Sequence, residues 1–222
     1  MKYFAALLIA VISVFSAKAQ TYEIGGYIGG ANYIGDIGKT NYISPNDVVV
    51  GGVFKWNRSE RHAFRASVLV AGISGNDVDS EESRRQQRGY SFKNTITELS
   101  LNMYRGQPVS TPYLYTGLTY FRYNAQFKRP ATDIIVEYDK AGTVAIPMVV
   151  GFKTTVGTKL VLGLEIGARY TFTDNLDGSN PTGDLADDAS LKFGNTNSDD
   201  WYVFTGATLT FTFGRKPCYC NF

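Results

Sequence analysis

The residues with catalytic potential are few. His62 is the only histidine in 222 residues, and there are two cysteines, Cys218 and Cys220. One imidazole cannot build a histidine-rich zinc site. A Ser-His-acid triad would have to be centred on His62. The G-x-S-x-G elbow of many hydrolases is missing, because Gly72-Ile73-Ser74-Gly75 departs from it. His62 and Ser74 also fall at opposite ends of one candidate strand. An enzyme of the outer-membrane barrel type is therefore a third choice, and the expectation is a non-enzymatic protein with no cofactor.

Two further groups could do chemistry. Cys218 and Cys220 are separated by Tyr219 alone. A disulfide across one residue is strained, so these are free thiols or pair with another chain in an oxidising compartment. Between residues 174 and 200, Asp174, Asp177, Asp184, Asp187, Asp188, Asp199 and Asp200 face one base, Lys192. Oxygen-rich loops can hold calcium. Asn175-Leu176-Asp177-Gly178 looks like the middle of an EF-hand loop, but Thr173 stands at the first ligand position and Asp184 at the twelfth. A solvated acidic loop is the expectation, and no metal site is assigned. The formal charge is only +2, and without a basic stripe it gives no nucleic-acid footprint.

What positions these residues is a series of strands. Leu160 to Thr173 alternates at period two. One face carries Leu160, Leu162, Leu164, Ile166, Ala168, Tyr170 and Phe172; the other carries Gly163, Glu165, Gly167, Arg169 and Thr171. Thr143–Val156 and Trp201–Gly214 repeat the pattern. Tyr22–Ile34, Val48–Trp56, His62–Ser74, Ser91–Met103 and Tyr113–Tyr123 complete eight strands. In the Tyr113–Tyr123 strand both faces carry aromatics. Most of these strands exceed the ~5–6 residues usual in soluble proteins and suit the ~9–11 tilted residues that cross a bilayer.

The gaps between strands alternate in length. Gaps of 13, 16, 19 and 27 residues are interleaved with gaps of 5, 9 and 3. That is the pattern of an outer-membrane barrel with both termini in the periplasm, long external loops and short periplasmic turns. The fold class expected is all-β: an eight-stranded antiparallel transmembrane β-barrel spanning residues 20–214. Its apolar strand faces would meet outer-membrane lipid. Tyr22, Trp56, Tyr113, Phe172 and Trp201 are placed for interfacial girdles.

An eight-stranded barrel has an interior that side chains fill. The inward set is Glu23, Lys55, Arg65, Glu98, Lys153, Glu165 and Arg169. Three acids and four bases could pair there as a polar plug; a narrow proton or ion path is the functional alternative. Charge is also sorted by end. The short turns and the tail carry Arg58, Arg61, Arg105, Lys159, Arg215 and Lys216 against Glu60, whereas the long loops hold twice as many acids as bases. Such a basic rim could dock an acidic periplasmic partner.

Met1–Ala19 reads as a signal peptide, with Lys2, an apolar Phe4–Phe15 stretch and Ala17-Lys18-Ala19 at the cleavage site. Its removal takes away Lys2 and Lys18 and leaves 20 basic and 20 acidic residues. Residues 215–222 form a short periplasmic tail.

Several segments together resemble the PorG family of outer-membrane barrels from the type IX secretion system of Bacteroidetes. They run, in order, from Gly29-Gly30-Ala31-Asn32-Tyr33-Ile34-Gly35-Asp36-Ile37-Gly38 through Tyr42-Ile43-Ser44-Pro45-Asn46 to Lys55-Trp56-Asn57. Arg65 to Asp77, Ser91-Phe92-Lys93-Asn94 with Glu98, and Thr111-Pro112-Tyr113-Leu114-Tyr115 follow, then Ile146-Pro147 and Gly163 to Asp174. The similarity covers residues 23–174. The segment between Asn124 and Gly142 lacks the Gly-rich stretch of the family pattern, which leaves both the secretion component and a paralogue open. The resemblance implies a non-enzymatic accessory or anchor of the secretion machine, associated with a periplasmic ring built from a lipoprotein and its partner. The second reading is a stand-alone barrel, an adhesin or ligand-binding surface protein that uses its acidic external loops.

Overall fold

The computed structural model describes residues 21–59, 62–105, 110–129, 135–195 and 197–214. The expected signal peptide, the tail with both cysteines, and Glu60, Arg61, Arg215 and Lys216 lie outside them.

Eight antiparallel strands close into a ring: β1 Thr21–Ile34, β2 Asp47–Asn57, β3 His62–Asn76, β4 Ser91–Arg105, β5 Thr111–Lys128, β6 Ile135–Val156, β7 Leu160–Thr171 and β8 Trp201–Gly214. Every strand pairs with its sequence neighbour, and β1 closes on β8 from Thr21↔Gly214 to Ile34↔Trp201. Closure leaves no strand edge unpaired, the condition for a sheet in lipid.

Alternation decides which side chains point where. On β7, Leu162, Leu164 and Ile166 face outward, while Gly163, Glu165, Gly167 and Arg169 are on the inner face. Leu99, Leu101 and Met103 of β4 and Leu209, Phe211 and Phe213 of β8 extend the same outer belt. Leu101 is 66% exposed and Leu114 63%. A contiguous apolar band of this kind is the surface a barrel turns to lipid. Among the described residues no helix is long and apolar enough to cross a membrane. Aromatics mark both ends of the belt. Tyr22 packs between Phe54 (6.0 Å) and Phe213 (5.7 Å) at one end, and Trp201 packs on Tyr170 (5.0 Å) at the other.

Three features differ from the sequence reading. First, β5 and β6 run well past Tyr123 and Thr143. They stay paired from Tyr123↔Ala141 to Lys128↔Ile135 with one irregularity at Ala125/Gln126. This stretch stands beyond the apolar belt, where no lipid enforces alternation. Second, β7 ends at Thr171, before Phe172 and Thr173. Third, Tyr113 is not a girdle residue. It is 2% exposed and points inward, because Leu114 takes the outer face and the Tyr113 hydroxyl finds an acceptor inside.

The loops add little regular structure. A six-residue helix, α1 (Ser83–Arg88), ends at Gly89, whose φ of 65° lies in the left-handed region and whose N–H donates to Arg85 O at 2.9 Å. The β6–β7 turn is tight and passes through Gly157 at φ 68°.

Candidate functional site: a filled lumen between two unlike rims

The seven inward charges converge inside the barrel. Lys55 Nζ lies 3.4 Å from Glu23 Oε2. Arg65 Nη1 donates to Glu165 Oε1 at 2.5 Å, and Arg169 Nε donates to Glu98 Oε2 at 3.3 Å. All six of these residues are at most 4% exposed. Lys153 is also buried and stands over the ring of Tyr104, 4.9 Å from its centre. Buried charges persist only when their remaining lone pairs and protons are satisfied, and the carboxylates here meet that condition. Glu23 also accepts from Asn57 Nδ2 (3.0 Å) and Thr210 Oγ1 (2.9 Å). Glu165 accepts from Tyr113 OH (2.6 Å) and Tyr115 OH (3.2 Å). Glu98 accepts from Ser100 Oγ (2.7 Å) and Tyr202 OH (2.9 Å). Aromatic faces cover the bases: Arg65 lies 4.6 Å over Tyr115 and Arg169 4.2 Å over Phe204. Two nitrogens of Arg65, Nε and Nη2, have no hydrogen-bond partner.

Of the tyrosines that complete this network, Tyr104, Tyr115 and Tyr202 were not singled out in the sequence and Tyr113 was assigned to a girdle. Each sits at an inward position of a strand. For Tyr113 and Tyr115 the signal was the step-of-two spacing to Gly117, Thr119 and Phe121 on β5, hidden by the aromatics on its outer face.

The long-loop end is closed by chain rather than left open. Asn175 to Asp177 and Ser179 are fully or almost fully buried. Leu176 enters the interior cluster with Tyr33, Ile96 and Phe121. Its carbonyl accepts from Asn94 Nδ2 (2.9 Å) and Gln126 Nε2 (3.2 Å), and its N–H donates to Asp200 Oδ2 (2.9 Å). Tyr33 OH also donates to Asp200. Burial, with Asp177 and Asp174 alongside, pushes the Asp200 carboxyl well above the usual range. Asp77 is the hub of the neighbouring loop. It accepts from Arg88 Nε (2.7 Å), Gly38 N (3.0 Å) and Tyr90 N (3.0 Å). Burial opposes ionisation of Asp77, but these donors outweigh it and hold its carboxyl low. Among the described residues, no three His, Cys, Asp or Glu side chains are arranged to hold a metal ion.

The opposite, short-turn end carries the remaining candidates. Arg58 and Lys159 are exposed in the β2–β3 and β6–β7 turns. Arg105 ends β4, with its backbone in register with His62 and Leu114. His62 is exposed, and its Nδ1 lies 3.4 Å from Ser59 Oγ within the turn. Ser74 lies at the far end of β3, where it bonds Asp47 (2.5 Å).

A closed eight-stranded meander with an apolar outer belt and a filled polar interior is the fold of outer-membrane β-barrel proteins. A solved structure agrees on the fold: the major outer membrane protein of Thermus thermophilus matches at TM-score 0.52 with 12% identity, over 88% of this chain and 100% of that one. Ail of Yersinia pestis matches at 0.49 with 6% identity, over 88% and 99%. OprG of Pseudomonas aeruginosa matches at 0.43 with 7% identity, over 90% and 98%. None of the curated proteins matches. Within the barrel class, the chain belongs to the family described as a domain of unknown function, DUF6089, whose profile matches residues 1–222.

Proposed function

We propose that this protein is a non-enzymatic accessory or anchor of a protein-secretion machine of the type IX kind. In this reading it sits in the outer membrane with its short-turn end in the periplasm. The observation that carries the reading is the filled lumen. Three hydrogen-bonded ion pairs and their aromatic covers occupy the space a substrate would need, so the work of the protein falls to its rims. The resemblance to the PorG family supports the choice of machine. The rim residues proposed to meet the periplasmic ring, a lipoprotein and its partner, are Arg58, Arg61, Arg105, Lys159, Arg215 and Lys216. Rim charges act chiefly on encounter rate and salt dependence.

The test is crosslinking in whole cells, followed by identification of captured proteins. Wild-type protein should bring down ring components. Reversing Arg58, Arg61, Arg105 and Lys159 to Glu together should cut capture at low salt by about tenfold or more. Unchanged capture at low salt would refute the basic-rim docking, and capture of no ring component would refute the secretion role. A second reading, a stand-alone surface protein, is favoured by the ordered, acid-rich loops at the other end. It predicts no periplasmic capture at all.

A further inference from the structure

The loop end holds a cavity of about 450 Å³ between the β1–β2 loop, α1 and the β7–β8 loop. That size falls in the ~300–1,000 Å³ range of small-molecule sites. Asp36, Asp199, Arg85 and Asn195 supply its polar lining, and Tyr42 and Trp201 its aromatic lining.

Two carboxylates face one base in this lining among the described residues, with Arg88 just outside it, donating to the Asp36 carbonyl at 2.6 Å. That base, Arg85, is already engaged. Its Nη1 donates to Gly35 O (2.9 Å) and Gly38 O (3.1 Å), and its Nε lies 3.5 Å from Glu82. The two carboxylates keep acceptor capacity, since each has two oxygens and about four lone-pair sites. Asp36 Oδ2 takes the Asn195 N–H (2.9 Å), and Asp199 Oδ2 takes the Tyr170 hydroxyl (2.6 Å). Asp174 stands outside this lining: burial, then the charges of Asp177, Asp36 and Asp199, push its carboxyl up to about 7, so it carries only part of a negative charge near neutral pH. The aromatic walls suit a cation. Trp201 is braced on Tyr170, and Tyr42 is 78% exposed at the mouth. A ring face and a carboxylate together attract an ammonium more strongly than either alone. A bare metal ion does not fit, because no three acidic groups among the described residues converge to hold one.

We propose that this cavity binds a small organic cation, an ammonium group on a short alkyl chain. The ammonium lies between Asp36 and Asp199, and the alkyl chain lies along Trp201 and Tyr42. Neutral alcohols of the same length lack the charge that the site rewards.

The probe is 1,5-diaminopentane, titrated calorimetrically into the full barrel in detergent micelles, with 1,5-pentanediol as the uncharged match. The diamine should bind saturably and more weakly as salt rises, and the diol should not bind. Asp36→Asn and Asp199→Asn should each weaken the diamine by about tenfold or more, a change of about 1.4 kcal/mol. Either variant could disturb its loop through Asn195 or Tyr170. Tyr42→Ala therefore serves as an independent arm, since its exposed ring holds nothing else in the cavity wall; it too should weaken binding. Asp184→Asn, an exposed acid of the same loop outside the cavity, should leave binding unchanged. Equal binding of diol and diamine overturns the proposal. So does no diamine binding, or a loss in Asp184→Asn as large as in Asp199→Asn.

Discussion

Replacing Glu165 by Ala should come close to unfolding the barrel. Glu165 is 3% exposed and accepts three bonds, from Arg65 at 2.5 Å, Tyr113 at 2.6 Å and Tyr115 at 3.2 Å. Its removal strands Arg65, two of whose nitrogens already lack a hydrogen-bond partner. Breaking a buried ion pair from one side costs ~3–5 kcal/mol. Each of the two tyrosine hydroxyls then loses its acceptor in a dry interior, at ~1–3 kcal/mol apiece. The sum is at least about 5 kcal/mol, against a typical total stability of ~5–15 kcal/mol.

The decisive comparison is with the double variant Arg65→Met/Glu165→Leu. A buried pair replaced by apolar residues of similar volume is often neutral in stability. Only the tyrosine hydroxyls would remain unsatisfied, so the double variant should cost ~2–6 kcal/mol, lower than Glu165→Ala alone by the ~3–5 kcal/mol of the broken ion pair. The assay is urea unfolding in phospholipid vesicles followed by fluorescence of Trp56 and Trp201, with stability taken from midpoint and slope. A cost below ~1 kcal/mol for Glu165→Ala, or a double variant as damaging as the two single changes added, would refute the reasoning.

Other outcomes follow from the same interior. Lys55→Met should cost ~3 kcal/mol, because it leaves Glu23 charged and buried. Lys153→Met should stay within ~1 kcal/mol, because Lys153 meets a ring and, among the described residues, no ion-pair partner; the same urea titration separates them. Gly25→Ala should sharply lower the yield of folded barrel, since its Cβ would collide with the Leu209 carbonyl oxygen on β8, whereas Gly52→Ala, with nothing nearer than 4.0 Å, should fold normally. The β7–β8 loop should loosen as pH rises. Burial and neighbouring carboxylates raise Asp174 from 3.8 to about 7, so the folded loop keeps a proton that the unfolded chain releases. That contribution is fully present below the unfolded value and is lost as pH rises through about 7. Limited proteolysis of the loop between pH 5 and 8 should show the step, and Asp174→Asn should reduce it without abolishing it, because burial also raises the Asp177 and Asp200 carboxyls beside it.

The strands were legible wherever lipid imposes alternation. β7 shows this best: Leu162, Leu164 and Ile166 must face lipid, so Glu165 and Arg169 must face inward. Where lipid ends, the rule ends. Asn124–Lys128 and Ile135–Gly142 form a paired extension, but both faces are wet or packed by loops, and their mixed polarity reads as loop. Tyr113 was misplaced for a related reason, since aromatics on both faces of β5 erase the period-two signal. The pairing of the inward charges was not legible at all. Arg65 and Glu165 are 100 residues apart and meet across the lumen; which acid meets which base depends on strand stagger, which side-chain pattern does not encode. Leu176 gave equally little warning. It is one of several apolar residues scattered through an acidic loop, with Leu185, Leu191 and Phe193, yet it is the one that enters the interior cluster as a fully buried side chain.

The interior and the rims answer to different constraints. Opening a path through the lumen would require breaking pairs such as Arg65–Glu165 and Arg169–Glu98, each at ~3–5 kcal/mol. Their carboxylates are held further by Tyr113, Tyr115, Ser100 and Tyr202, so the cost rises with each bond lost. The network therefore fixes register and shape and fills the lumen. The rims face no such constraint, and they differ from each other. Arg58 and Lys159 stand exposed on tight turns at one end. At the other, Asp36 and Asp199 line a cavity beneath folded loops. A partner of acidic surface suits the first end and a small cation the second. The two proposals can therefore fail separately: reversing the turn charges should leave diamine binding intact, and Asp199→Asn should leave periplasmic capture intact. Loss of both in either variant would mean that the barrel itself had been damaged.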